Sequence, residues 1–235
     1  MLTSTLSKLA TLAATAALVW AVVGERRAGR GPVVSLASRW FGRGATTPAS
    51  ILVAIAAGLL LVALPLGVER ARAGLTWRAT DPSPVLDLVV LTVAVKILFV
   101  LFEEVAFRGA LLDVLGRLGA PQAVVASTLV FGLAHAARSS DPSHAAAVVS
   151  ATIDGIGYGA AAVLTRSLRA PVAWHLAKNL AVWQLTGTST LQFAPGVMTL
   201  VPPESGASGA LEAVVTAVVV ALTLPLLRAL RSRTA

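Results

Sequence analysis

The chain contains no cysteine. Disulfide bonds, thiolate metal sites and a cysteine nucleophile are therefore excluded. Charged residues are also scarce, because they make up 13% of the 235 residues, whereas a soluble domain has about 25%. Hydrophobic residues make up 56%, and the mean hydropathy is +0.81. Such a chain cannot coat a soluble globule with polar residues, so the composition indicates a polytopic membrane protein.

The net charge of +8 comes from 19 basic against 11 acidic residues. In a soluble protein that balance would suggest nucleic acid as a partner. Here the arginines cluster in short loops, as orientation signals and lipid-headgroup contacts do, so we expect a lipid bilayer and no nucleic acid. The preference for Arg over Lys, with abundant Ala and Val, suggests a bacterial source and a multi-pass protein of the cell membrane.

Seven apolar runs are long enough to cross a bilayer, which takes about 17–25 residues. The predicted spans are 7–24, 51–68, 85–117, 121–137, 144–166, 170–187 and 209–228. The third run would reach ~50 Å as one straight helix, so we expect it to be tilted, kinked or extended into the cytoplasm. The predicted fold class is all-α, a polytopic transmembrane helix bundle of about seven spans.

Positive charges favour the cytoplasmic side. The 24–50 loop and the C-terminus are rich in arginine, whereas the 188–208 loop contains no Lys or Arg. A topology of seven spans places the 24–50 loop and the C-terminus in the cytoplasm and the 188–208 loop on the outer side. The 69–84 loop then also falls outside, although it contains three arginines and so runs against the rule.

Two adjacent carboxylates, Glu103 and Glu104, interrupt the third apolar run. A charge at the bilayer centre costs at least ~2.5–3.5 kcal/mol, so we expect both to face a bundle interior or a wet cavity. On a helix, Glu104 and Arg108 are i,i+4 neighbours in the favourable order. We predict that Arg108 keeps Glu104 ionised and leaves Glu103 to act as a general base. A buried Glu–Arg pair that locks helix packing is the structural alternative.

Two later spans each carry a histidine. Phe131 precedes His135 by one helical turn, a pattern that alone is more typical of a satisfied core histidine. His175 and Asn179 share a helical face, and both can donate hydrogen bonds toward one point, as an oxyanion site requires. An interhelical polar clasp is the alternative interpretation of this second pair.

Three motifs, Glu-Glu-x-x-x-Arg, Phe-x-x-x-His and His-x-x-x-Asn, each occupy a separate span in this order. Together they resemble the CAAX protease and bacteriocin-processing (CPBP, or Abi) family over residues 85–187. The resemblance implies an all-helical membrane fold and an intramembrane endopeptidase. The chain then divides into N-terminal transmembrane helices with Arg-rich loops (1–84), a CPBP-like catalytic core (85–187), and a loop with a C-terminal transmembrane helix (188–235).

The resemblance also implies roles for the motif residues. Glu103 looks like the base that activates water, with His135 as its partner in holding that water. His175 and Asn179 would stabilise the tetrahedral oxyanion. The supporting ion pair is Glu104 with Arg108. The implied reaction requires no cofactor, its substrate is a peptide or membrane protein, and its site is expected to open toward the cytoplasm.

Other interpretations use the same residues. A zinc-dependent version of the peptidase would take Glu103, His135 and His175 as ligands and leave a fourth position for water. A non-catalytic membrane immunity or scaffold protein would use the polar cluster for assembly. A transporter with a carboxylate–histidine proton relay is disfavoured, because the sequence has no repeated halves with interrupted helices.

The positions of the two histidines within their spans create a geometric problem. His135 lies ~14 residues into its span and His175 only ~5 into its own, which corresponds to a difference in depth of ~13 Å. Both must reach Glu103 if the site is to form. Either the predicted span starts are wrong, or a helix is strongly tilted, or the sixth span begins deeper. A dip of the segment 167–171 into the bundle would be one way to achieve the last of these.

Several polar and aromatic residues have simpler interpretations. Gly155 and Gly159, one turn apart, favour close helix packing. Lys178 is expected to reach the interface or to pair with a carboxylate. The five tryptophans mostly fall near predicted interfaces, where belt residues lie.

Overall fold

The computed structural model describes residues 2–42, 46–73, 76–79, 86–136, 143–186, 196, 198–201 and 209–232. Most of these residues are helical, which confirms the predicted all-α class. The α-helices are α1 (Leu2–Arg27), α2 (Pro32–Ala37), α3 (Pro48–Ala73), α4 (Leu86–Glu104), α5 (Leu112–Leu115), α6 (Ala120–His135), α7 (Ser143–Thr165), α8 (Arg169–Thr186) and α9 (Gly209–Ser232). Each of the seven predicted spans coincides with one of these helices or, for the third span, with a series of them.

Four helices in the described part of the chain are long and apolar enough to cross a membrane. The segments are Ser7–Arg27, Pro48–Arg72, Val148–Thr165 and Leu211–Arg231, which lie in α1, α3, α7 and α9. The three motifs lie outside these four segments. Helix α4 is strongly apolar but carries Asp87, Lys96 and the two glutamates, and α6 is shorter than a full span.

Two short strands join loops that are far apart in sequence. Strand β1 (Thr76–Ala79) precedes α4, and strand β2 (Met198–Val201) precedes α9. They pair antiparallel, with Thr76 opposite Val201 and Ala79 opposite Met198. The apolar periodicity did not predict this ribbon, which links the first and third of the predicted regions.

The long third run is not one α-helix. After α4 ends at Glu104, the chain continues as a π-helix over Val105–Leu111, then as α5 and a 3₁₀ turn. The carbonyl of Phe107 accepts hydrogen bonds from the backbone N–H of Leu112 and from the Ser127 hydroxyl at 2.8 Å. The expected irregularity is therefore a π-helical segment, a feature that frequently occurs at functional sites.

The first residues of α6 are exposed, whereas the segment before α8 is buried. Ser167, Leu168 and Ala170 are all buried, and the Leu168 N–H donates to the carbonyl of Trp40 at 2.7 Å. The chain enters this segment through Arg166, whose φ is 52°, a left-handed value that is rare for residues other than glycine. Part of the segment 167–171 is therefore packed among the helices, as the expected dip into the bundle requires.

Small residues let the helices approach closely. A Cβ atom on Gly159 would lie 3.1 Å from Val124, so the predicted close packing occurs between α7 and α6. The interfacial prediction for tryptophan is wrong for three residues. Trp40, Trp174 and Trp183 are buried in the bundle, because their rings fill space between helices that have few other aromatic residues.

Gly58 and Gly67 both lie on α3 and give a matched test of this packing. A Cβ atom on Gly58 would lie 2.4 Å from the carbonyl oxygen of Trp174, whereas one on Gly67 would have no atom within 4 Å. We expect Gly58→Ala to lower the free energy of unfolding by about 1–3 kcal/mol through overpacking. Gly67→Ala should be neutral or stabilising by up to about 1 kcal/mol. Thermal unfolding in detergent measures both, and equal melting temperatures would contradict the close α3–α8 contact.

Candidate active site

Three helix segments bring the predicted catalytic residues together. Glu103 and Glu104 end α4, His135 ends α6, and His175 lies in the second turn of α8. The Glu103 carboxylate lies 3.9 Å from His135 Nε2 and 3.5 Å from His175 Nε2. One carboxylate therefore faces both imidazoles, as the sequence predicted.

Glu104 is fully buried and connects two other elements. Its Oε1 atom lies 2.8 Å from His175 Nδ1 and 3.2 Å from Arg108 Nη1. The side chains of Glu104 and Arg108 have no solvent exposure. The predicted i,i+4 ion pair is present, although Arg108 lies in the π-helix rather than in α4. The pair also orients His175, a role that the sequence did not indicate.

Aromatic rings surround the Arg108 guanidinium. Its Cζ atom lies 3.9 Å from the ring centroid of Phe131 and 5.2 Å from that of Tyr158. These distances allow cation–π attraction, which strengthens when the cation is desolvated. A Cβ atom on Gly155 would lie 3.1 Å from Arg108 Nη2, so Gly155 leaves space for the guanidinium. The Nε and Nη2 atoms have no hydrogen-bond partner among the described residues.

The hydrogen-bond partner of His135 determines its tautomer. His135 Nδ1 lies 2.8 Å from the carbonyl oxygen of Phe131. A carbonyl only accepts, so Nδ1 carries the proton in this network. In the neutral imidazole, Nε2 is then an acceptor, and this atom faces Glu103. His135 is the most exposed of the three side chains at 18%, against 8% for Glu103 and 6% for His175.

The same argument applies to His175, whose Nδ1 atom faces the Glu104 carboxylate. Glu104 is held by Arg108, so Nδ1 is the donor and Nε2 is directed toward Glu103. Asn179 lies one turn further along α8 and is half-buried. Residues i and i+4 share a helical face, so the carboxamide of Asn179 lies on the side of α8 that presents His175.

Tyr158 belongs to this site and was missed in the sequence. Its ring stacks on His175 with centroids 4.8 Å apart and an interplanar angle of 14°. Tyr158 is 1% exposed, and its hydroxyl has no hydrogen-bond partner among the described residues. It is the chain's only tyrosine and follows Asp154 by four residues. A single tyrosine one turn after an aspartate in an apolar helix was the available signal.

A second polar cluster connects α8 to α7 and α9. Lys178 hydrogen-bonds to Asp154 on α7 and lies 3.7 Å from Glu212 on α9. The expectation that Lys178 pairs with a carboxylate is therefore met. Because Lys178 is the neighbour of Asn179, this contact fixes the rotation of α8 next to the candidate site.

The zinc-dependent alternative requires three ligands around one point. Among the residues that the structure describes, no group of three or more His, Asp or Glu side chains is placed to hold a metal ion. The three predicted ligands, Glu103, His135 and His175, face each other through the Glu103 carboxylate.

Comparison of the sequence with known protein families finds a match for the segment that contains the three motifs. Residues 83–181 match the family described as type II CAAX prenyl endopeptidase Rce1-like. This segment is Rce1-like. The match confirms the family resemblance predicted from the motifs, and it contains all seven residues of the three motifs. It spans less than half of the chain, and no curated protein or solved structure matches the sequence.

The chain is therefore similar, over residues 83–181, to a family of CAAX prenyl endopeptidases. Four of its described helices are also long and apolar enough to cross a membrane.

Two substitutions of Tyr158 distinguish the contribution of its ring to stability from that of its hydroxyl group. Tyr158→Phe keeps the stacking on His175 and removes a buried hydroxyl, so we expect the free energy of unfolding to be unchanged or higher. Tyr158→Ala removes the ring and should cost about 3–5 kcal/mol. Thermal unfolding in detergent distinguishes the two. If Tyr158→Phe were as destabilising as Tyr158→Ala, the hydroxyl rather than the ring would be the important group.

Proposed function

We propose that the Rce1-like core is an intramembrane endopeptidase in which Glu103 and His135 activate a water molecule without a metal. The observation that supports this most strongly is the pairing of two hydrogen-bond acceptors. The Glu103 carboxylate and the unprotonated Nε2 of His135 face each other at 3.9 Å. Two acceptors cannot bond to each other, and a contact longer than 3.5 Å is commonly bridged by water.

A water molecule between these atoms would donate one O–H to each of them. That arrangement directs the lone pairs of the water oxygen away from the two acceptors and toward a substrate carbonyl. Glu103 takes the water proton as the new C–O bond forms. The protonated Glu103 then gives this proton to the leaving nitrogen, and the C–N bond breaks. Glu103 is then again a carboxylate, and the products are an amine and a carboxylic acid, which loses its proton to solvent.

The developing oxyanion needs donors on the other side of the carbonyl. In this mechanism, His175 Nε2 and the Asn179 carboxamide supply them. The Nδ1 proton of His175 is already committed to Glu104, so Nε2 can donate only when the ring is an imidazolium. The positive charge of such a ring would balance the negative charge of Glu103, because Arg108 balances that of Glu104. Donors placed where charge develops commonly contribute a factor of 10²–10³ in rate.

The substrate is a peptide or a membrane protein. The name of the matched family specifies prenylated CAAX proteins, and such a C-terminal peptide is the first substrate to test. Two adjoining cavities lie at one end of the bundle, and their walls include four arginines: Arg30, Arg39, Arg117 and Arg166. By the positive-inside rule we propose that this end is cytoplasmic in a bacterial cell membrane.

Replacing Glu103 by Gln removes the base and keeps the size of the side chain. We expect cleavage to fall by about 10²–10⁴-fold, while the melting temperature in detergent stays near that of the wild type. The purified protein is assayed on a farnesylated peptide ending in a CAAX sequence and on the same peptide without the lipid. Peptidomics of cells that carry the wild type or Glu103→Gln extends the search to native substrates.

Asp87→Asn is the matched control, since Asp87 is an exposed carboxylate in the first turn of α4, on the same helix as Glu103 but outside the site. Its activity should equal that of the wild type. If Glu103→Gln keeps its activity, the mechanism is wrong. The immunity or scaffold interpretation is favoured if the wild type shows no detectable cleavage and Glu103→Gln unfolds the protein or disrupts its assembly with a partner.

Metal dependence is tested separately from the choice of base. We expect a zinc chelator such as 1,10-phenanthroline, followed by its removal, to leave the cleavage rate of the purified protein unchanged within a factor of about two. Elemental analysis of the same sample gives its zinc content. Activity that is lost with the chelator and restored by zinc would support the zinc-dependent version and reject direct activation of water by Glu103 and His135 alone.

A further inference from the structure

The polar cluster of Asp154, Lys178 and Glu212 extends from the surface of the bundle to its interior. The Lys178 ammonium hydrogen-bonds to Asp154 on α7 and lies 3.7 Å from Glu212 on α9. Asp154 is buried, whereas the side chain of Glu212 is 44% exposed. The cluster therefore connects the exposed start of α9 with the space between α7, α8 and α9.

Four buried polar atoms next to this cluster have no hydrogen-bond partner among the described residues: Ser150 Oγ and Asp154 Oδ1 on α7, Trp174 Nε1 on α8, and Thr216 Oγ1 on α9. Ser150 precedes Asp154 by one helical turn, and Trp174 precedes Lys178 by one turn. Thr216 follows Glu212 at the same spacing. Residues i and i+4 share a helical face, so these polar groups lie on the three faces that meet at the cluster.

The Thr216 hydroxyl differs from the other helical threonine hydroxyls of the bundle. A helical threonine can donate to the carbonyl four residues earlier, and four threonines do so: Thr92, Thr152, Thr165 and Thr186. Thr216 makes no such bond among the described residues, although it is fully buried. Buried polar atoms that lack a protein partner are commonly bonded to ordered water.

The chemistry of these groups fits water better than it fits an ion. Trp174 Nε1 can only donate a hydrogen bond, an ionised Asp154 can only accept, and hydroxyl groups do both. The Lys178 ammonium would repel a metal cation, and the carboxylates of Asp154 and Glu212 would repel an anion. Water is neutral, donates and accepts, and is held in protein interiors by two to four polar partners.

We propose that ordered water occupies the space between α7, α8 and α9 and forms an inlet from the start of α9 to the candidate active site. Along α7 the inlet extends ~12 Å from Ser150 to Tyr158. Trp174 packs edge-on against Tyr158, with ring centroids 5.7 Å apart, and Tyr158 stacks on His175. The inner end of the inlet therefore lies beside an imidazole of the site.

The role of this water rests on the proposed peptidase function. Each cleavage consumes a water molecule, and the arginine-lined cavities lie at the opposite end of α7, beside Ala162 and Arg166. A peptide that enters from that end would obstruct the route for water behind it. An inlet from the start of α9 lets the next water molecule reach the site. The hydration itself does not depend on Glu103 or on any cleavage.

Because the chain has no cysteine, single-cysteine variants report the hydration one position at a time. The full-length variants in lipid nanodiscs are exposed to Ag⁺, a small soft cation that binds thiolates. Free silver is then removed, and the denatured protein is labelled with a fluorescent maleimide, so that lost label marks a thiol that Ag⁺ reached. We expect Ser150→Cys and Thr216→Cys to lose label at least about tenfold faster than Val219→Cys, since a thiol in apolar surroundings keeps its proton.

The control positions separate hydration from burial. Val219 on α9 is 4% exposed and packs in an apolar cluster, whereas Thr216 is 0% exposed. Burial alone therefore predicts that Thr216→Cys reacts no faster than Val219→Cys. Leu222→Cys is 66% exposed on α9, on an apolar face that the lipid covers, and should also react slowly. Arg30→Cys, at an exposed position after α1, gives the rate in open water.

Melting temperatures near that of the wild type show that the variants are folded. The proposal is overturned if Ser150→Cys and Thr216→Cys then react as slowly as Val219→Cys, or if all three react at one rate. No cleavage is measured in this experiment, so such a result leaves the test of Glu103→Gln unaffected. Fast reaction at both positions in a protein that cleaves no peptide would support the water-filled space and contradict only the peptidase function.

Discussion

Glu104 is fully buried, and one of its oxygen atoms contacts both the Arg108 guanidinium and the His175 imidazole. A buried carboxylate is costly unless it is paired and hydrogen-bonded. The contact therefore requires α8 to approach the end of α4 with one particular rotation, and it requires Arg108 to fold back along its own segment. Glu103 is held next to this pair and faces both histidines. The candidate chemistry depends on a carboxylate that does not itself act on substrate.

The surrounding residues hold Arg108 and His175 in the positions from which both contact Glu104. Phe131 and Tyr158 cover the guanidinium, Tyr158 stacks on His175, and Gly155 leaves space for Arg108. Each of these features removes an alternative position for one polar side chain. The Nε and Nη2 donors of Arg108 still have no hydrogen-bond partner among the described residues.

Much of this could be predicted from the sequence. The apolar runs located every long helix, because membrane spans have a strong hydropathy signal. The i,i+4 pair of Glu104 and Arg108 followed from helical spacing. The partner of His175 could not be predicted, since contacts between α4 and α8 depend on the depth at which each helix begins. The strand pair, the burial of Trp174 and the stacking of Tyr158 were missed for the same reason, as they depend on tertiary packing rather than on local pattern.

The π-helix between α4 and α5 connects two groups of side chains that must point toward different partners. Glu103 and Glu104 face the histidines, whereas Asp113 accepts a hydrogen bond from Trp40 Nε1 at 3.1 Å. An α-helix advances by about 100° per residue, so adding or deleting one residue in Val105–Leu111 would turn one set of contacts away from its partners. In this part of the chain, the number of residues is therefore constrained as strictly as their identity, and natural variation in length should be confined to the loops.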